Sequence, residues 1–209
     1  ADPLTGRPQQ LALSPTLLAA LLRAPLYVPA FAATLPYALA EAGAGRFEPL
    51  AALALGLSGP VSRNFAEGMH FAVVCAEDLP RIDAAARAQA AATRFGTTMI
   101  DLYAQACGAL RVGTVPAEFY TVPPSRVPVL ILSGGADPAT PPRHGEAVAG
   151  RLGNAHHLIA PQLGHGVSGA GCAPELIARF VRQASADGID GACLPQIPAP
   201  TVVQPVSRP

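Results

Sequence analysis

Two residues whose types suit acid–base catalysis, Asp137 and His165, each follow an apolar run and lie among glycines. Asp137 lies within LSGGADPATPP, after the run VPVLIL, and His165 lies within LGHG, after AHHLIAP. If both runs are parallel strands, both residues lie on loops at the carboxyl edge of one sheet, where open α/β sheets bind ligands. A carboxylate that binds one imidazole nitrogen fixes the tautomer and stabilises the cation formed when the other nitrogen takes a proton. The pattern therefore predicts the acid and base of a nucleophilic triad.

Each residue taken alone has a simpler interpretation. An Asp before a proline commonly forms an Asx-turn or a cap, and a His between glycines is commonly an ordinary loop residue. The catalytic hypothesis is favoured because both residues follow consecutive apolar runs with one helix of ordinary length between them. The glycines beside His165 would also let backbone and substrate come close to the imidazole.

Residues 126–209 have the pattern of parallel α/β structure. Val129–Leu132 is an apolar run bounded by turn residues, which predicts a strand buried on both faces. A helix capped by Thr140, with Pro141 in its first turn, leads to a second strand in AHHLIA. This order of strands and helices predicts parallel strands joined by a right-handed crossover, and we expect it to be the end of a larger α/β sheet. The last helix should bury one apolar face, formed by Leu176, Ile177, Phe180 and Val181.

Residues 14–125 are predicted to be mainly helical and to form a lid. Ser14 is expected to cap the helix in SPTLLAALLRA, and Asp83 to cap an alanine-rich helix. Gly43 and Gly56 suit helix C-termini. HFAVVCAED is expected to be a short strand or extended segment, and TTMIDLYAQAC a further helix. The predicted domains are a helical lid at 1–125, a C-terminal α/β core segment at 126–195, and a proline-rich, mobile tail at 196–209.

The composition argues against several classes of function. Apolar residues make up 50% of the chain, which predicts a globular protein. The formal net charge is zero and no basic block occurs, so we expect no nucleic-acid partner. Every apolar run is too short to span a membrane, and the first residues do not form a signal peptide. No cysteine or histidine cluster has zinc-site spacing, so we expect neither a metal nor a cofactor.

The four cysteines, Cys75, Cys107, Cys172 and Cys193, leave two interpretations open. Three pairings are possible, and pairing of neighbours along the chain would close two short loops, each worth about 3–4 kcal/mol. The alternative is four unpaired thiols, buried as small apolar residues in a reducing cytosol. Spacing alone does not distinguish the two.

Several stretches resemble a known family. VPVLILSGGADPATPP followed by APQLGHG is similar to the acid and His loops of the α/β-hydrolase fold, whose triad runs in the order Ser, Asp, His. HFAVVCAEDLPRID, Cys107 and the stretch from GHGVSGAGC to DGIDGAC are similar to secreted tripeptidyl-aminopeptidase-like serine hydrolases, relatives of proline iminopeptidase. The resemblance covers about Ser14 to Cys193. It implies a helical lid, a secreted or periplasmic location, and disulfides that pair Cys75 with Cys107 and Cys172 with Cys193.

The sequence lacks the nucleophile of that family. No Gly-x-Ser-x-Gly elbow occurs in the chain. GLSGP around Ser58 and GVSGA around Ser168 place the second glycine one position early, and both are expected to be turns. The glycines of an oxyanion hole are also missing. The resemblance thus implies the C-terminal portion of a serine hydrolase, with the nucleophile and any signal peptide in an N-terminal portion upstream, and this chain alone is expected to be inactive.

The first functional hypothesis is an exopeptidase of the tripeptidyl or prolyl aminopeptidase type, acting on peptides. In such relatives a lid acid can receive the substrate's free ammonium group, which makes Glu77 and Asp78 candidates, although the pair could equally be solvated residues before a turn. Thr140 is a candidate support for the acid loop, because it can hydrogen-bond to Asp137. The alternatives are a carboxylic-ester hydrolase that uses the same pair, and a non-catalytic fragment or binding module.

Overall fold

The structure, a computed structural model, describes residues 5–8, 10, 12, 14–53 and 66–204. The chain divides into two compact units: the first contains residues 1–21 and 55–121, the second residues 22–54 and 122–209. This division differs from the predicted segments, because residues 22–54 group with the C-terminal part of the chain and not with the rest of the helical half.

Helices dominate the described residues. In chain order they are α1 (Pro15–Leu26), α2 (Pro29–Ala32), α3 (Leu35–Gly43), α4 (48–53, where the described range ends), α5 (Glu67–Val73), α6 (Ala84–Ala91), α7 (Thr98–Ala109), α8 (Pro142–Ala149) and α9 (Ala173–Gln183). The strands are β1 (Val129–Gly134) and β2 (Ala155–Ala160). A π-helical turn follows α5 at Val74–Asp78, and 3-10 turns lie at Leu79–Arg81, Ala117–Tyr120 and Leu194–Gln196.

The predicted helix starts in the N-terminal half agree with the structure. The Ser14 hydroxyl accepts a hydrogen bond from the Leu17 N–H at 3.1 Å, which caps α1. The Asp83 carboxylate accepts one from a first-turn N–H of α6 at 2.7 Å. The predicted C-cap at Gly43 is wrong, because Gly43 is the last residue of α3 and the left-handed residue beyond it is Gly45, with φ of +83°.

The predicted strand in HFAVVCAED is also wrong, since this segment is α5 and the π-helical turn after it. Its adjacent valines are typical of a strand, but contacts with α7 favour a helix. His70 Nε2 lies 3.0 Å from the Tyr103 hydroxyl, and Cys75 is disulfide-bonded to Cys107. Tyr103 and Cys107 are four positions apart, on one face of α7. In a strand, His70 and Cys75 would point to opposite faces and could not both reach that face.

The second unit contains the predicted strand–helix–strand element. β1 and β2 pair in parallel, in a register that sets Val129 opposite Ala155 and Gly134 opposite Ala160, and α8 connects them. Within the described residues the sheet has these two strands only. Burial of β1 on both faces was therefore an incorrect expectation, because its first four residues are half-buried and only the last two are buried.

Two helices of this unit differ in detail from the predictions. α8 begins at Pro142 with Pro141 as its N-cap, so Thr140 is not the cap. The Thr140 side chain binds the loop before the helix instead, as described below. On α9, Leu176 is buried as predicted, but Val181 is 69% exposed. A 3.6-residue period places Val181 at the edge of the apolar face, outside the contact with the sheet.

A small core holds α9 against β2. Its buried members are Ala160, Val167, Ala173, Leu176, Ile189 and Leu194. The disulfide between Cys172 and Cys193 packs against it, joining the start of α9 to the segment after it. Ile197 also packs there, and the Val203 N–H donates to the Ala33 carbonyl at 2.9 Å. The tail that is predicted to be mobile is therefore attached up to Val203, by a side chain and by a main-chain hydrogen bond.

Removing the second disulfide should destabilise the sheet that carries the candidate site. Because the bond closes a loop with a sequence separation of 21, we expect Cys172→Ala/Cys193→Ala to lower the free energy of opening of β2 by about 3 kcal/mol. Native-state hydrogen exchange of the β2 amides measures this opening. The matched control is Cys75→Ala/Cys107→Ala, which removes the disulfide of the first unit. Equal losses in the two variants would contradict the prediction.

Candidate active site

Asp137 is fixed at the end of β1 by three hydrogen bonds from its own loop. Its Oδ1 accepts from the Ala139 N–H at 2.8 Å and from the Thr140 N–H at 2.9 Å. Its Oδ2 accepts from the Thr140 hydroxyl, also at 2.9 Å. The side chain of Asp137 is only 5% exposed. The DPAT sequence therefore forms an Asx-turn, as the simpler interpretation expected, and this turn leaves the carboxylate oriented toward the neighbouring loop.

His165 lies on that neighbouring loop and completes the pair. Its Nδ1 is 3.0 Å from Asp137 Oδ2 and 3.2 Å from Oδ1. The imidazole is 47% exposed, and within the described part of the chain no hydrogen bond reaches Nε2. The Thr140 hydroxyl lies 3.5 Å from Nδ1, at the edge of hydrogen-bond distance. The arrangement thus presents one ring nitrogen to a buried carboxylate and leaves the other accessible.

Close backbone contacts bring the two loops together. The Gly135 N–H donates to the Ala160 carbonyl, and the Ala136 N–H donates to the Leu163 carbonyl, each at 2.9 Å. A Cβ atom on Gly134 would lie 2.0 Å from the Gly164 carbonyl oxygen, and one on Gly135 would lie 2.5 Å from the oxygen of Pro161. The glycine pair before Asp137 is therefore required by the approach of the His loop, which no side chain could allow.

The environment of Asp137 keeps its carboxyl ionised. Burial raises the pKa of this carboxyl, but the hydrogen bonds from Thr140, Ala139 and His165 lower it by more. The net effect lowers the pKa from 3.8 to about 2. At neutral pH the carboxylate is therefore an acceptor only, which requires a neutral His165 to carry its proton on Nδ1 and leaves Nε2 as a free base.

Tyr27, in the turn between α1 and α2, contacts His165 in two ways. Its carbonyl accepts a hydrogen bond from the His165 N–H at 3.1 Å. Its ring lies edge-on to the imidazole, with centroids 5.3 Å apart and planes inclined by 74°. Sequence reasoning missed this residue, since the prolines around it, Pro25 and Pro29, indicate a turn but not what the turn contacts.

A cavity of about 510 Å³ lies beside the pair, and both Asp137 and His165 line it. Four consecutive residues of β1, Ile131 to Gly134, also line it, together with His144 and Val148 of α8. Successive strand residues point to opposite faces, so a cavity lined by all four runs along the edge of β1 and not over one face. This is the edge that does not pair with β2.

The predicted ammonium-binding residues belong to the first unit. Glu77 and Asp78 belong to the π-helical turn of the first unit, where the Glu77 carbonyl accepts a hydrogen bond from the Tyr120 hydroxyl at 2.7 Å. Their role in binding an ammonium group remains a prediction. Ser168 lines the cavity and lies in a turn, as expected. Ser58 lies outside the described residues, as does Gly56.

The described residues contain no group of three His, Cys, Asp or Glu side chains arranged to hold a metal ion. In the same residues, every helix is too short or too polar to cross a membrane. An imidazole held through Nδ1 by an ionised carboxylate can transfer a proton at Nε2, and this is the chemistry that the Asp137–His165 arrangement offers.

One family model matches the C-terminal part of the chain. The model of the family described as TAP-like protein, an α/β-hydrolase family, matches residues 90–193. The matched range contains Asp137, His165 and both strands, and the match suggests a hydrolase function. No curated protein and no solved structure matches the chain.

The low pKa of Asp137 predicts a pH-dependent contribution to stability. A depressed carboxyl pKa stabilises the fold above the pKa of the unfolded chain, and this stabilisation is lost as pH falls from about 4 to about 2. The gap in free energy of unfolding between the wild type and Asp137→Asn should be about 2 kcal/mol larger at pH 6 than at pH 2. Urea unfolding at both pH values measures the two gaps. Asp187→Asn, which alters an exposed carboxyl, is the control. A gap that does not change with pH would contradict the prediction.

The approach of the two loops predicts that a methyl group at position 134 is not tolerated. Gly134→Ala would place its Cβ against the carbonyl oxygens of Gly164 and Leu163, so the loops would have to separate. We expect a loss of about 2 kcal/mol or more in the free energy of unfolding. Gly169→Ala is the matched control, because a Cβ there meets no atom within 4 Å. Urea unfolding compares them, and similar values for both variants would show that the close approach does not constrain the fold.

Proposed function

We propose that this chain supplies the acid and the base of a serine hydrolase. Asp137 orients His165, and His165 transfers the proton at Nε2. The observation that carries the proposal is the 3.0 Å contact between Asp137 Oδ2 and His165 Nδ1, with the other ring nitrogen accessible. The match of residues 90–193 to an α/β-hydrolase family supports it, because that fold uses an Asp and a His on successive loops.

In the proposed reaction, His165 acts first as a base and then as an acid. Nε2 takes the proton of a serine hydroxyl while the serine oxygen attacks the substrate carbonyl carbon. The imidazolium that forms is stabilised by the ionised carboxylate of Asp137. His165 then gives the proton to the leaving group, whose bond to the carbonyl carbon breaks and leaves an acyl-enzyme. Water removes the acyl group by the same two steps.

The nucleophilic serine is proposed to lie in an N-terminal portion of the same protein. The chain contains no Gly-x-Ser-x-Gly elbow that could supply it. The cavity along the edge of β1 supports this proposal, because it lies beside Asp137 and His165 and borders strand backbone that is unpaired within the described residues. A further parallel strand added at that edge would end on the same side of the sheet as the two loops.

The substrate is proposed to be a peptide with a free amino terminus, as expected for a tripeptidyl or prolyl aminopeptidase. Glu77 and Asp78 would then bind the terminal ammonium group. A secreted or periplasmic location agrees with the two disulfides, which persist in oxidising compartments. The missing elbow favours a second candidate for the chain by itself, a non-catalytic module. Nothing in the Asp–His geometry separates amide from ester cleavage, so an ester hydrolase is the alternative for the complete protein.

Mass spectrometry of the purified protein, native and then denatured, is the first test. A second polypeptide with a Gly-x-Ser-x-Gly elbow is expected, and a fluorophosphonate should label that polypeptide and not this chain. Labelling of Ser168, or of any other residue of this chain, would contradict the proposed origin of the serine. A single 21.3 kDa species that resists labelling would favour the non-catalytic module.

Activity of the complete protein then tests the role of the pair. Asp137→Asn should lower kcat by up to about 10⁴-fold, because the amide would favour the wrong imidazole tautomer. Asp187→Asn should leave kcat unchanged. A loss of less than about tenfold in Asp137→Asn would exclude Asp137 as the triad acid. Comparing a peptidyl anilide with a short acyl ester as substrates distinguishes the peptidase from the ester hydrolase.

A further inference from the structure

The hydrogen bond to Asp137 holds only one edge of the His165 ring. A ring attached through Nδ1 can still swing about that bond, which would move Nε2 away from a fixed nucleophile. The imidazole is 47% exposed, so general packing does not prevent this motion. A further contact must fix the tilt of the ring if Nε2 is to point in a single direction.

The turn at Tyr27 provides contacts of two kinds. Its carbonyl accepts the His165 N–H at 3.1 Å, which fixes the main chain of the His loop. Its ring meets the imidazole edge-on, in the T-shaped geometry that aromatic pairs favour. The main-chain contact limits where His165 can lie, and the ring contact limits how its side chain can turn.

The turn itself is held firmly. The Tyr27 N–H donates to the Ala24 carbonyl at 3.3 Å, and the Val28 N–H donates to the Pro25 carbonyl at 3.1 Å. Pro25 is among the fully buried side chains, and Pro29 begins α2 directly after the turn. Two prolines that restrict φ therefore flank the residue that contacts His165.

The neighbouring glycine shows how close this approach is. A Cβ atom on Gly164 would lie 3.0 Å from the Tyr27 carbonyl oxygen and 3.2 Å from that of Leu26. Above the ring of Tyr27, the guanidinium carbon of Arg23 lies 5.6 Å from the centroid, within the range of a cation–π contact. The Tyr27 ring thus contacts both Arg23 and His165.

We propose that Tyr27 is a positioning residue for His165, whose carbonyl anchors the His loop and whose ring sets the direction of Nε2. The importance of this role for catalysis rests on the proposed function, but the effect of Tyr27 on the His165 ring can be tested without it. Tyr27 does not touch the reacting atoms. It acts by keeping Nδ1 on Asp137 and Nε2 toward the open side of the site.

The imidazole tautomer of His165, measured in this chain without any substrate, tests the proposal. In long-range ¹H–¹⁵N spectra at alkaline pH, the wild type should show His165 mainly as the Nδ1–H tautomer. Tyr27→Leu should raise the Nε2–H form by about two- to tenfold, the range expected for loss of one aromatic pair. Tyr27→Phe keeps the ring and should match the wild type. Tyr37→Leu, which removes another half-buried tyrosine of the same unit, should also match it.

Each outcome decides the proposal. An unchanged tautomer ratio in a folded Tyr27→Leu would overturn it, even if the melting temperature fell, because a packing role alone lowers stability without altering the tautomer. If Tyr27→Leu does not fold, amide exchange in the wild type decides. The His165 amide should then be at least about tenfold protected, comparable to the Ala136 amide, and an unprotected amide would overturn the proposal.

Failure of the proposed function gives a different result. A complete protein that resists fluorophosphonate, with the tautomer effects of Tyr27→Leu intact, would remove the serine hydrolase and leave the positioning role of Tyr27. Normal labelling together with an unchanged tautomer ratio would support the serine hydrolase and remove the positioning role of Tyr27.

Discussion

The buried carboxylate of Asp137, at the end of β1, is the constraint that determines how the loops of the second unit are arranged. Removing Asp137 from water disfavours its charge, and the charge persists only because hydrogen-bond donors surround it. Two backbone N–H groups and the Thr140 hydroxyl come from its own turn, and the fourth donor is His165, from a loop distant in sequence. The local donors would fix the turn in any case. The fourth ties the two loops together and makes the carboxylate part of a site.

This arrangement requires the two loops to be closer than side chains would permit. Gly134 and Gly135 face the backbone of the His loop on one side, and Gly164 faces the turn at Tyr27 on the other. The His loop therefore contacts two other segments of main chain, and both contacts fix the position of His165. Rigidity at the site thus arises mainly from backbone contacts, with the side chains of Asp137, Thr140 and Tyr27 refining the position of the imidazole.

The sequence predicts those parts of the structure that are determined by residues close together in the chain. The apolar runs, the helix between them and the glycines around Asp137 and His165 all carry local signals, and together they indicate the strand–helix–strand element and the pair. The segment around Cys75 was mispredicted because its helix depends on contacts with α7, about thirty residues later. Tyr27 was missed for the same reason, since its partner, His165, is distant from it in sequence. Thr140 is predicted both to cap α8 and to hydrogen-bond to Asp137, and of the two contacts only the second is present.

Among the described residues, one edge of β1 pairs with no other strand. Its residues run Val-Leu-Ile-Leu, without a charged residue or a proline to discourage pairing with another extended chain. Such an edge is a template for strand addition, and it does not distinguish a correct neighbour from a second copy of itself. Where this chain is produced alone, self-association through β1 competes with productive folding. If an N-terminal portion adds a strand at this edge, as proposed, production together with that portion should reduce self-association through β1.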